Sequence, residues 1–252
     1  MKKQIVSILT LIICAMFAET TAIAQGIIIH KKNGEEIIVP YSALDSIATY
    51  TAEGNNEEIN GHECVDLGLS VRWATCNVGA YSPEEYGDHY AWGEICTKSR
   101  YEWTTYKWCN GTGTSLTKYN TDSYYGIVDN KTVIDLEDDV AHVKWGGSWR
   151  TPTLEEIKEL VNKCTWEETT QNGQRGQLVK GPNGNRIFLP STGFRIHTDL
   201  HDSGLYSSYG YYWSATLMNY DHGAYHLYFN YDGIKCDTEF RYWGFTVRPV
   251  TE

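Results

Sequence analysis

Methionine and proline are scarce in this 252-residue chain, at 3 and 6 copies, and basic residues are outnumbered, 21 Lys and Arg against 32 Asp and Glu. The resulting formal charge of −11 argues against a nucleic-acid partner, because duplex binding neutralises phosphates with clustered Lys and Arg. The densest basic cluster is the pair Lys31 and Lys32. Beyond Phe17 no segment comes near the roughly 20 consecutive apolar residues that a membrane-spanning helix needs. No Cys-x-x-Cys pair occurs, so neither a zinc knuckle nor a thioredoxin-like redox site is supported. A Gly-x-Ser-x-Gly nucleophile elbow is missing, as is any repeat at a solenoid period.

What is present is a globular composition, 41% apolar and 21% charged, with an excess of rings: 19 Tyr, 9 Trp and 6 Phe, beside 23 Gly. Many rings and glycines with few helix signals predict an α+β domain of short irregular strands, one or two helices and long loops.

Residues 1–24 have the three parts of a secretory signal: Lys2 and Lys3, the apolar stretch Ile5 to Phe17, and the small-x-small site Ala22, Ile23, Ala24 before Gln25. Glu19 ends the apolar stretch, and Ile13 fits poorly before a lipidated cysteine, which disfavours attachment through Cys14. The mature chain is therefore expected to be secreted or held at the cell surface without a transmembrane segment. Six cysteines remain: Cys64, Cys76, Cys96, Cys109, Cys164 and Cys236. An oxidising compartment permits disulfides among them. Cys96 and Cys109, which bracket one aromatic loop, are the best candidate pair, and buried thiols are the alternative.

Residues 25–52 read as a small leader, with apolar runs on both sides of Asn33-Gly34, a hairpin signal. Leu44 and Ile47 are available to help pack it. Residues 53–60 are polar and without period, as a linker is. Residues 61–252 form the main domain. Its clearest helix starts at Thr153, where Glu156 completes a capping box and Leu154, Ile157, Leu160 and Val161 share a face. A shorter helix is expected over Asp135 to Val143. Strands are expected at Val65–Leu67, Val71–Asn77, Gln177–Lys180, Arg186–Leu189, Tyr211–Thr216, Ala224–Tyr231, Gly233–Cys236 and Gly244–Val250. In Ala224–Tyr231 the side chains alternate, placing His226, Tyr228 and Asn230 opposite Tyr225, Leu227 and Phe229.

Six strings occur in order: HECVDLGLSVRWATCNVGA from His62, YGDHYAWGE from Tyr86, WGGSWRTPTLEEIKEL from Trp145, IFLPSTGFR from Ile187, YYWSAT from Tyr211 and GFTVRPV from Gly244. Together they resemble the Fibrobacter succinogenes major paralogous domain (FISUMP), over about His62 to Val250. The resemblance implies a C-type-lectin-like fold of the formylglycine-generating-enzyme subtype, in secreted or surface proteins of Gram-negative gut bacteria. Ile28 to Tyr50 is also similar to a short leader of such surface proteins.

Fold signatures usually record packing, so Trp145, Trp149, Arg150, Pro152 and Arg248 are read as structural. The enzyme branch of the fold uses paired cysteines near the C-terminus, whereas here the last 42 residues hold only Cys236, which leaves an oxidase the least favoured reading. His197 with His201, and His222 with His226, have a metal-ligand spacing but lie on no convincing helix. Asp88, Asp122, Asp129, Asp138 and Asp139 form no EF-hand. No catalytic residue, metal or cofactor is expected. The candidate ligand-binding set is His226, Tyr228, Tyr231, Lys235, Asp237, Glu239, Phe240, Tyr242 and Trp243, since rings with polar tips suit recognition surfaces. The expected function is a non-catalytic exported module holding an extracellular protein or glycan on this aromatic C-terminal face. Alternatives are a structural subunit of a surface fibre, assembled through the hairpin edge, and a variable ligand-binding protein of a diversity-generating retroelement. The oligomeric state is left open.

Overall fold

The computed structural model describes residues 26–30, 36–40, 56–202, 204–218 and 222–252, the first two stretches as backbone. The chain divides into two compact units, residues 1–51 and 52–252. In the first, β1 (Gly26–His30) and β2 (Glu36–Pro40) pair antiparallel, with Gly26 opposite Pro40 and His30 opposite Glu36. The Asn33-Gly34 turn, Leu44, Ile47, the signal with Cys14 and residues 53–55 of the linker lie outside the described residues.

The second unit is mostly short antiparallel strands with two α-helices, an α+β fold. It opens with β3 (Glu57–Ile59), β4 (His62–Val65) and β5 (Arg72–Ala74). β3 corrects the sequence reading, which put Glu57 and Glu58 in the linker: two polar faces hide a strand that pairs through its backbone with β4. The expected helix over Asp135–Val143 begins later, as α1 (Val140–Trp145). Asp139 caps it, accepting the Ala141 N–H at 2.9 Å and the Thr151 N–H at 2.8 Å. A carboxylate that satisfies orphan helix donors is worth more outside the helix than inside it. α2 (Leu154–Lys163) follows, with the Thr153–Glu156 capping box in place. Arg150 grips Glu156 with both guanidinium nitrogens, at 2.8 and 2.6 Å.

Next come β6 (Thr165–Gln171), β7 (Gln174–Lys180) and β8 (Arg186–Pro190), a meander. A two-stranded ribbon, β9 (Phe194–Ile196) with β10 (Asp199–His201), leads to a second meander of β11 (Gly210–Leu217), β12 (Gly223–Asn230) and β13 (Gly233–Phe240). The final strand expected over Gly244–Val250 shortens to β14 (Val250–Thr251), which pairs with β5 and so joins the two ends of the unit. Residues 244–246 make only single bridges, to Arg195, Tyr90 and Tyr212.

The long stretch between β5 and α1 has little regular structure, and buried rings hold it. Trp92 donates its indole N–H to Ser214 O, Trp213 to Tyr90 O and Trp149 to Ile59 O, each at 2.8 Å. Tyr106 and Tyr101 donate their hydroxyls to Trp92 O and His89 O. Each ring thus fills core volume while its polar tip satisfies a backbone carbonyl remote in the chain or across a loop. Arg248, 1% exposed, binds Asn77 Oδ1 and the carbonyls of Ala74 and Thr75. Trp145, Trp149, Arg150 and Arg248 therefore sit in packing and bonding roles, although Trp145 ends α1 rather than leading into α2.

All six described cysteines are free. The expected Cys96–Cys109 pair is corrected: the Cys109 thiol donates to Trp103 O at 3.1 Å, while Cys96 is exposed.

Candidate functional site

The β11–β12–β13 sheet has two unlike faces. One carries Tyr212, Leu227, Phe229, Ile234 and Cys236, which pack with Ile157 and Leu160 of α2 and with Val179, Ile187 and Leu189. The other carries Tyr211, Trp213, His226, Tyr228, Lys235, Asp237 and Glu239, as alternation and register require. Its inner part is closed by Phe245, whose ring lies 4.2 Å from Trp213, 4.8 Å from His226 and 4.8 Å from Tyr211.

His226 is corrected on this ground. The chain returns over the sheet at Phe245 and buries the imidazole, whose Nδ1 has no partner. Burial drives its pKa down to about 3, with Asp237 pulling the other way. Trp243 is also turned inward. It stacks on Phe194 at 4.9 Å, and its indole N–H is buried without a partner. Glu239 is partly buried, and burial, with Asp237 nearby, pushes its carboxyl up.

The outer part of the face is a cluster of tyrosines in ring contact, two pairs of them edge to face. Tyr209 meets Tyr206 at 5.3 Å and 87°, and Tyr228 at 5.8 Å and 88°. It also touches Tyr231, which is 67% exposed at the β12–β13 turn. Tyr211 meets Tyr228 at 5.0 Å. The Lys235 ammonium lies 5.3 Å over the Tyr228 ring and 2.6 Å from Asp237. Burial works to raise the Asp237 carboxyl, but Lys235 and the Thr238 N–H outweigh it and hold it below the usual range. Burial, with Tyr209 beside it, pushes the Tyr228 hydroxyl up to about 12. The patch is rich in rings, with one ion pair beside it.

Phe240 and Tyr242 belong to a second patch. They stack at 5.7 Å and 13°, with Trp103 at 4.9 Å from Tyr242 and His222 at 5.4 Å from Phe240. The nine residues read from the sequence thus divide: Tyr228, Tyr231, Lys235 and Asp237 in one patch, Phe240 and Tyr242 in another, and His226, Trp243 and Glu239 partly or wholly withdrawn. Tyr206, Tyr209, Tyr211 and Trp103 were missed. The ring density of residues 206–213 was the available signal.

Burial raises the thiols of Cys64, Cys76, Cys109, Cys164 and Cys236, Cys164 to about 11, and a thiol above neutral pH is a poor nucleophile source. The histidine pairs do not converge: His197 faces Glu102 at 3.5 Å, and His201 stacks on Phe194. Among the described residues the one group of three metal-capable side chains is Asp135, Glu137 and Asp138. Lys118 fills it, at 2.7, 3.2 and 2.6 Å. Asp88 accepts the Tyr90 hydroxyl, and Asp129 the N–H groups of Tyr119 and Asn120.

Residues 151–250 are similar to a family described as "Domain of unknown function (DUF8237)". That stretch holds α2, both meanders and the tyrosine cluster. No curated protein and no solved structure matches the chain. Among the described residues no helix is long and apolar enough to cross a membrane.

Proposed function

We propose that this chain is an exported, non-catalytic binding module whose domain, C-type-lectin-like and akin to the FISUMP family, holds an extracellular protein or glycan on the tyrosine patch. One observation carries the reading: Tyr206, Tyr209, Tyr211, Tyr228 and Tyr231 form a continuous chain of ring contacts, two of them edge to face and three tilted, beside the face of a sheet whose other side is core. Rings already locked by their neighbours lose little freedom when a ligand binds, and phenol tips offer hydrogen bonds at the same place. Lys235 and Asp237 add a fixed charge pair at the rim. The pairing of β14 with β5 supports the fold part of the reading, since it closes a loop-rich unit at its ends.

The test is an array of extracellular proteins and glycans probed with the purified chain and with a Tyr209→Ala, Tyr228→Ala, Tyr231→Ala variant. Ligands retained by the parent and lost, by at least about tenfold, in the variant support the reading. Equal retention of every ligand by both proteins removes it.

A further inference from the structure

A cavity of about 500 Å³ opens beside the sheet of β3, β4, β5 and β14, lined among others by His62, Glu63, Cys76, Tyr81, Pro83 and Trp145. It shares no lining residue with the tyrosine patch. Its volume is that of a small-molecule site.

Three of its lining residues, His62, Tyr81 and Trp145, carry aromatic rings. His62 stacks flat on Trp145, at 3.8 Å and 8°, and Trp145 in turn meets Trp149 edge-on at 5.1 Å. Burial lowers the His62 pKa, with Glu58 pulling the other way. Tyr81 stands at the mouth, 96% exposed. The loop that carries Tyr81 is firmly held. Val78 donates to Val247 O at 3.0 Å, Asp88 to Val78 O at 2.9 Å, and Tyr81 itself to Glu85 Oε2 at 2.7 Å. Gly87, at φ 68°, lets the two ends of the loop close up where a Cβ would strike the Val78 carbonyl. A bare ring on a pinned loop gains nothing for the fold.

Charge selects the ligand. Glu63 lines the cavity, Glu58 acts on His62, and Glu63 and Glu84 both act on Cys76. Among the described residues no Lys or Arg lines it. Arg248, which acts on Cys76, is buried with its Nε and Nη1 on Asn77, Ala74 and Thr75, and its Nη2 has no partner. Ring faces and a carboxylate around a concave space suit an organic cation, which is drawn to the ring quadrupole and desolvates at modest cost.

We propose that this cavity binds an aliphatic ammonium group, either a lysine side chain or a free quaternary amine, against the Tyr81 and His62 rings with Glu63 as counter-charge. The test titrates the full chain with choline, with Nα-acetyl-lysine methylamide, and with 3,3-dimethylbutan-1-ol, the uncharged isostere of choline, while following the His62 and Trp145 ring resonances. Saturable shifts with a cationic probe are expected, and Tyr81→Ala and Glu63→Gln should each weaken them roughly fivefold. Tyr81→Ala keeps the fold because the ring touches almost nothing. A tighter response to the lysine probe assigns a protein partner, and a tighter response to choline assigns a free amine. No saturable shift with either cation, an equal response to the neutral alcohol, or unchanged binding by Tyr81→Ala would overturn the proposal.

Discussion

The two faces of the β11–β12–β13 sheet show how one alternating sequence serves two purposes. On the α2 side Leu227 and Phe229 are buried in a cluster with Ile157, Leu160 and Tyr212, and Ile234 packs against it partly buried. On the opposite side the ring residues divide, Trp213 and His226 sealed under Phe245 and the tyrosines left half in solvent. Burial there stops where the covering segment stops. The exposed remainder is held by ring contacts rather than by depth, which is how a recognition surface can be stiff without being core.

This contrast can be broken from the closed side first. Phe229→Ala should cost about 3–5 kcal/mol, because it leaves a cavity between α2 and the sheet; urea unfolding checks it. A loss below about 1 kcal/mol would mean that the α2 face is not the core.

The buried histidines give the next effect. Burial lowers the pKa of His226 to about 3 and that of His89 to about 4, against an ordinary 6.5. Between these values the unfolded chain takes up protons that the folded chain refuses. Stability is therefore complete above about pH 6.5 and falls as the pH drops, by at most about 1.4 kcal/mol per pH unit for each histidine. Thermal unfolding from pH 7 to pH 4 should follow that slope, and His226→Phe should flatten it. An unchanged slope in the variant would put His226 in solvent.

A smaller loss is expected at the helix that covers the closed face. Thr153→Ala removes one half of the α2 capping box and should cost about 1 kcal/mol by chemical denaturation. Smallest of all, Tyr231→Ala should change stability by less than about 0.5 kcal/mol, since the ring sits in a turn and is mostly exposed.

Local signals were legible where local chemistry decides. The Thr153–Glu156 box and the alternation in β12 both lie where the sequence placed them. Asn172-Gly173 carries an equally plain hairpin signal, with φ of 48° and 84°, yet β6 was not read. Its residues TWEETTQ are polar on both faces because it is a solvated edge strand. The site was harder still. Alternation placed His226 on the ring face, but only the return of the chain at Phe245 determines that this part of the face is covered. Such a contact between distant segments leaves no local pattern. The stretch between β5 and α1 resists reading for a related reason, since its order comes from indole and phenol tips bonding remote carbonyls.

The claim that the tyrosine patch is surface and not core is tested most directly by the unfolding free energy of the Tyr209→Ala, Tyr228→Ala, Tyr231→Ala variant beside that of Phe229→Ala. The three tyrosine truncations together should cost less than about 2 kcal/mol, below the single phenylalanine. A triple variant that unfolds as readily as Phe229→Ala, or more so, would contradict the account.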